Sequence, residues 1–205
     1  MKKIILSVAF LAIASTQVNA QETTIWDKIS LEASYGAAAP LSPNDMVTRS
    51  EYVSFVNFQG GINYQMNNLW GVRATYAYQQ FENENNSNLG VQYHKFMAEA
   101  TFNTLRVITP ESSFVTNNTF DVVAHAGIGA SFATRTQDNA TNKMLNAQIG
   151  LKPSYTVSPR ITVIVDGTYV MNFNQAYAFN GMSIKGGTTG SYVTAAIGIQ
   201  VKLGK

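Results

Sequence analysis

The chain has 205 residues, a net charge of +2 and 13% charged residues, about half the share of a typical soluble domain. It contains no Cys, which excludes disulfides, thiolate metal sites and cysteine nucleophiles. There is no basic run, so nothing supports nucleic-acid binding, and the length suits one domain.

Residues 1–20 read as an export signal. Met1-Lys2-Lys3 is basic, Ile4 to Ala14 is apolar apart from Ser7, and Val18-Asn19-Ala20 offers small residues for cleavage. The apolar run is too short for a spanning helix, which needs about 20 residues. Residues 21–205 are then the mature domain.

Within that domain the sequence predicts strands at 29–39, 52–66, 70–81, 91–105, 120–134, 144–157, 161–173 and 191–203. Their mark is a period of two residues, apolar against polar. Trp70, Val72, Ala74, Tyr76 and Tyr78 share one face of the third strand. Ala124, Ala126, Ile128, Ala130 and Phe132 do so in the fifth. In the sixth, Leu145, Ala147, Ile149 and Leu151 oppose Asn146, Gln148, Gly150 and Lys152, and Pro153 marks a bulge or an edge. The last strand alternates throughout: Val193, Ala195, Ile197, Ile199 and Val201 against Thr194, Ala196, Gly198, Gln200 and Lys202.

The links after the second and sixth strands are tight. Those after the first, third, fifth and seventh, at 40–51, 82–90, 135–143 and 174–190, are polar and longer. The link at 106–119 breaks the rule, being long and holding Pro110. Alternating strands, uneven links and an export signal together predict an all-β, eight-stranded antiparallel up-and-down barrel in the outer membrane of a Gram-negative bacterium. Short turns face the periplasm and long loops face outward. Two aromatic bands fit the same reading: Trp26, Tyr64, Trp70, Phe102 and Tyr155 at the periplasmic end, and Tyr52, Tyr78, Phe96, Phe132 and Phe173 at the other. A soluble carrier would alternate equally well, with its apolar face inward.

In these features the chain resembles the barrel domain of the outer membrane protein A family and its small barrel-only relatives. The likeness covers nearly all of 21–205 and lies in architecture rather than in a sharp motif. Family members often carry a peptidoglycan-binding domain after the barrel, and none is expected before the chain stops at Lys205. Such barrels commonly end in an aromatic residue. Here the end reads Val201-Lys202-Leu203-Gly204-Lys205, with Leu203 nearest that role.

With the apolar face outward, the interior receives Glu32, Arg73, Lys95, Glu99, Asp121, His125, Lys152, Asp166 and Lys202. Closing a hairpin around Asn86 opposes Arg73 to Glu99, and closing one around Pro159 opposes Lys152 to Asp166. Opposed Cβ atoms lie about 5 Å apart, within ion-pair reach. Such pairs form either a packed polar plug, the expected filling at this strand number, or a gate for ions and small solutes.

His94 and His125 are the only histidines. Ser131, His125 and Asp121 share a strand face, but four residues span about 13 Å and six about 20 Å, too far for a triad. His125 is expected to bond Thr101, and His94 to sit at a solvated rim. No spacing suggests a metal, and no cofactor is expected. The expected role is non-enzymatic: membrane integrity, or adhesion through the loops, by a monomer in contact with outer membrane lipids and extracellular surface ligands. The alternatives, in order, are a small pore, a lipid-modifying enzyme and a soluble carrier.

Overall fold

A computed structural model describes residues 25–43, 49–83, 85–108 and 119–204, so the expected signal at 1–20 lies outside the described residues. Eight strands follow in chain order: β1 (Ile29–Ser42), β2 (Ser54–Gln65), β3 (Trp70–Asn83), β4 (Asn86–Asn103), β5 (Phe120–Arg135), β6 (Thr141–Thr156), β7 (Ile161–Tyr177) and β8 (Ser183–Lys202). Each pairs antiparallel with its neighbour, and β8 closes on β1, leaving no sheet edge unpaired. No helix of the described residues is long and apolar enough to cross a membrane.

The register fixes the barrel's stagger. Paired residues lead from Ser30 through Asn63, Arg73, Glu99, Gly127, Gln148, Val170 and Tyr192 to Pro40, ten residues beyond the start on the same strand. This offset makes the strands tilt around the axis and leaves a bore that side chains can fill. All the strand positions on that path face inward.

The end where β1 begins and β8 finishes is the proximal end. Its two tight turns share one design. Met66 and Asn67 both donate backbone N–H groups to the Trp70 carbonyl, and Val157 and Ser158 do the same to Ile161. Each is a three-residue loop with a bulge, which keeps Trp70 and Ile161 on the outer face. The Asn67 side chain fastens the first by accepting from Leu69 and Trp70 N–H. The third proximal link is elaborated: Thr104 holds the Val122 carbonyl with both its N–H and its hydroxyl, and one helical turn follows at Leu105–Ile108. Residues 109–118, with Pro110, lie outside the described residues.

At the opposite, distal end the long loops expected from sequence are mostly strand. The links shrink to 84–85, 136–140 and 178–182 because β3, β4, β6, β7 and β8 run further than predicted. Beyond the lipid both faces of a hairpin are wet, so apolar alternation fades while the backbone ladder continues. The sequence there looks like a loop. Pro153 interrupts only one side of β6: its position pairs with Val122, whereas the β6–β7 register skips Lys152 and Pro153. A residue without an N–H cannot donate to the ladder.

The faces settle which environment is apolar. Ile128 (73% exposed), Leu145 (69%) and Ile197 (63%) point outward, while the buried set is largely polar and charged. That is the inverse of a soluble carrier and the distribution of a barrel set in lipid. Trp26 and Trp70 are exposed on the proximal band. Tyr52, expected in the distal band, is instead buried in the barrel mouth.

Candidate functional site

Seven of the predicted interior residues meet in the lumen: Glu32, Arg73, Lys95, Glu99, His125, Lys152 and Asp166 are all at most 5% exposed. Arg73 is the hub. Its Nη1 lies 3.0 Å from both Glu32 and Asp166, and Nε and Nη2 grip Glu99 at 3.1 and 2.8 Å. The planar guanidinium offers five donors in a fixed fork, which lets one side chain serve three carboxylates. Thr75 donates to Glu99, Asn63 to Glu32 and Thr168 to Asp166. His125 Nδ1 stands 2.7 Å from Glu99 and Nε2 is 3.5 Å from Asp166.

The hairpin arithmetic is right about register for Arg73 and Glu99, which are direct partners and bonded. It is wrong about contact for Lys152. That ammonium binds Glu32 at 2.7 Å, while Asp166 turns to Arg73. Closure of β1 on β8 brings Glu32 into the lumen beside Lys152, a meeting that no single hairpin shows. His125 likewise does not bond Thr101, although the two are cross-strand partners. Its ring leans to Glu99 because a buried carboxylate attracts it more strongly than a hydroxyl does. Asp121 and Lys202 are not in the buried cluster. Asp121 pairs with Arg106 of the proximal link at 3.1 Å, half-exposed, and Lys202 is exposed at the proximal mouth.

Room for these side chains comes from glycine. Glu32 faces Gly61 across the ladder, Glu99 faces Gly127 and His125 faces Gly150. A Cβ at Gly61 would stand 3.1 Å from Glu32 Oε1, one at Gly127 2.6 Å from Glu99 Cγ, and one at Gly150 would fall on the His125 ring. The small residue opposite each large one is the signal that sequence reasoning missed. It appears only once the register is known.

A second closure lies distally. Phe81, Val91, Tyr93, Phe179 and Tyr192 are fully buried in the mouth, with Tyr52, Met144 and Val170 around them. Phe81 packs edge-on to Phe179 at 4.7 Å and to Tyr93 and Tyr192 at 5.5 Å. Tyr192 donates its hydroxyl to Gln79. Phe179 comes from the link between β7 and β8, folded down into the lumen. Phe81 shares the inward parity of Arg73, Tyr93 that of Lys95, and Tyr192 that of Thr194, so their side was legible in the pattern. Their gathering into an aromatic lid above a polar core was not, because Phe179 joins them from outside any strand.

Between the two closures, Lys95 donates to Gln148 at 2.8 Å and lies over the Tyr192 ring. Above the lid, Arg135 ties the distal links together through Asp138, the Gly181 carbonyl and Ser183, and stacks on Tyr177. The Asp138 carboxylate holds the Arg135 pKa above its usual value, and the guanidinium holds that of Asp138 below its own. His94 sits on the outer face, bonded to the Tyr76 hydroxyl at 2.8 Å. Among the described residues no group of three or more His, Asp or Glu side chains is arranged to hold a metal ion.

These features define an eight-stranded outer-membrane β-barrel whose lumen is occupied by a charged cluster at mid-height and by aromatic side chains distally. The chain belongs to the surface antigen family, whose model matches residues 14–202. Among solved structures it is similar to Neisserial surface protein A, with 14% identity over 85% of this chain and 97% of that one, at a TM-score of 0.57. Two others match with lower TM-scores. OprG from Pseudomonas aeruginosa has 9% identity over 87% and 97% of the two chains, at a TM-score of 0.48. Ail of Yersinia pestis has 16% identity over 84% and 97%, at 0.46. No curated protein sequence matches the chain.

Proposed function

We propose that the chain is a non-conducting, non-enzymatic monomer of the outer membrane that acts through its distal hairpins in surface contact and adhesion. Residues 1–20 direct export and are removed after Ala20, and the proximal end faces the periplasm. The observation that carries this reading is the double closure of the lumen. A charged cluster around Arg73 and an aromatic lid around Phe81 occupy the lumen at two levels, so the distal hairpins are the surface on offer. Rigid scaffolds commonly present recognition in this way. Membership of the surface antigen family supports the same role.

The test is attachment of cells displaying the chain to host-cell or matrix-coated surfaces. The comparison is with variants in which links 136–140 and 178–182 are trimmed, folding being checked by slower gel migration after boiling. Attachment that survives trimming in a folded barrel rejects the hairpins as the contact surface. Discrete openings of the purified chain in a planar bilayer reject the closed lumen in favour of the pore. N-terminal sequencing of the exported chain checks cleavage after Ala20.

A further inference from the structure

The lumen is not filled to its proximal end. Below the Arg73 cluster a cavity of about 310 Å³ opens towards the rim, within the range of small-molecule sites, roughly 300–1,000 Å³. Its walls are polar, with Ser30, Asn63, Thr101 and Gln200 among them, and Lys152 stands at its closed end.

The charge of this vestibule is one-sided. Four cations line it, Lys28, Arg106, Lys152 and Lys202, against two carboxylates, Asp27 and Asp121; Glu32 behind the wall offsets Lys152 and Asp121 offsets Arg106, so the positive excess lies with Lys28 and Lys202 at the rim. Arg106 donates to both oxygens of Asp121, through Nε and Nη2. Neither Lys28 nor Lys202 has an ion-pair partner among the described residues. Lys152, 3% exposed, makes one side-chain hydrogen bond among the described residues, to Glu32, and so keeps two of its three donors there. The Thr101 hydroxyl, on a residue 8% exposed, has no hydrogen-bond partner among the described residues. A buried ammonium and a hydroxyl donor at the end of a concave, net-positive pocket are complementary to anionic oxygen.

We propose that the proximal vestibule binds a small solute bearing a carboxylate or a phosphate. The anionic group seats against Lys152 and Thr101, the amides of Asn63 and Gln200 line the wall, and Lys28 and Lys202 attract the solute at the rim. The site is separate from the distal hairpins, and its closed end is the charged cluster itself. Entry is from the proximal side only. Binding there needs the cavity and its charges, and not the adhesive role of the hairpins.

The experiment titrates the refolded full chain in detergent micelles with citrate and, separately, with inorganic phosphate, followed by calorimetry and by amide shifts of β1, β4 and β8. Saturable binding is expected. Removing the rim charges together, Lys28→Ala with Lys202→Ala, weakens it about tenfold, the scale of two exposed charges. Thr101→Met, which removes the hydroxyl and puts an apolar side chain at the seat of the anionic group, abolishes it. Citrate binding without phosphate assigns a carboxylate ligand, and the reverse assigns a phosphate. Absence of binding by either probe at millimolar concentration overturns the proposal. So does binding that both variants leave unchanged. If Thr101→Met does not refold, the exposed lysine pair decides alone.

Discussion

Replacing Arg73 with Met tests whether the lumen cluster is a single energetic unit. Arg73 lies 2.8–3.0 Å from Glu99, Glu32 and Asp166, and none of the four side chains is more than 4% exposed. At an effective dielectric near 20, each such contact is worth about 5 kcal/mol of gross attraction, most of it offset by desolvation. The substitution leaves three buried carboxylates facing Lys152 and His125 alone. Breaking a buried pair in this way costs about 3–5 kcal/mol. By contrast, Arg106→Ala acts on a pair whose side chains are 31% and 21% exposed, and its cost stays within about 1 kcal/mol. Urea unfolding in lipid vesicles, read by Trp26 and Trp70 fluorescence and by the gel shift on boiling, measures both. The double variant Arg73→Met, Glu99→Gln should recover part of the loss by removing the excess negative charge. Equal costs for Arg73→Met and Arg106→Ala would refute the argument.

Gly150→Ala should cost about 1–3 kcal/mol in the same assay, because the new methyl displaces the His125 ring from its place beside Glu99. The same change at exposed Gly186, where an added methyl would meet nothing within 4 Å, tests backbone strain alone, since its φ is +80°. Phe179→Ala should quicken amide exchange in 178–182 while planar bilayers stay silent, because the Arg73 cluster still closes the lumen below; openings in this variant would show that the lid is the only barrier. Ile128→Lys places a charge on the mid-band lipid face and should cost about 2–4 kcal/mol in vesicle refolding, against about 0–1 for Val157→Lys at the proximal rim. Equal costs would place the membrane elsewhere on the barrel.

Strand parity alone determined much of this protein. A side chain at an even or odd position goes to one face or the other whatever the neighbours do, so the alternation from Val193 to Lys202 announced one apolar and one polar environment, and the exposed Ile197 and Ile199 then showed that the apolar one is outside. Arg73 opposite Glu99 was equally legible, since one hairpin fixes its own register. What lay beyond one hairpin was not. Glu32 meets Lys152 across the lumen only because β8 closes on β1 with an offset of ten residues, and Asp166 reaches Arg73 for the same reason. The glycines opposite Glu32, Glu99 and His125 acquire their meaning from those pairings. The distal hairpins hid for a different reason: outside the lipid, period two loses its apolar signal although the ladder persists. Parity is a local property of the backbone and can be read along a strand. Which inward residues touch is set by tilt and closure, and these exist only in the assembled barrel.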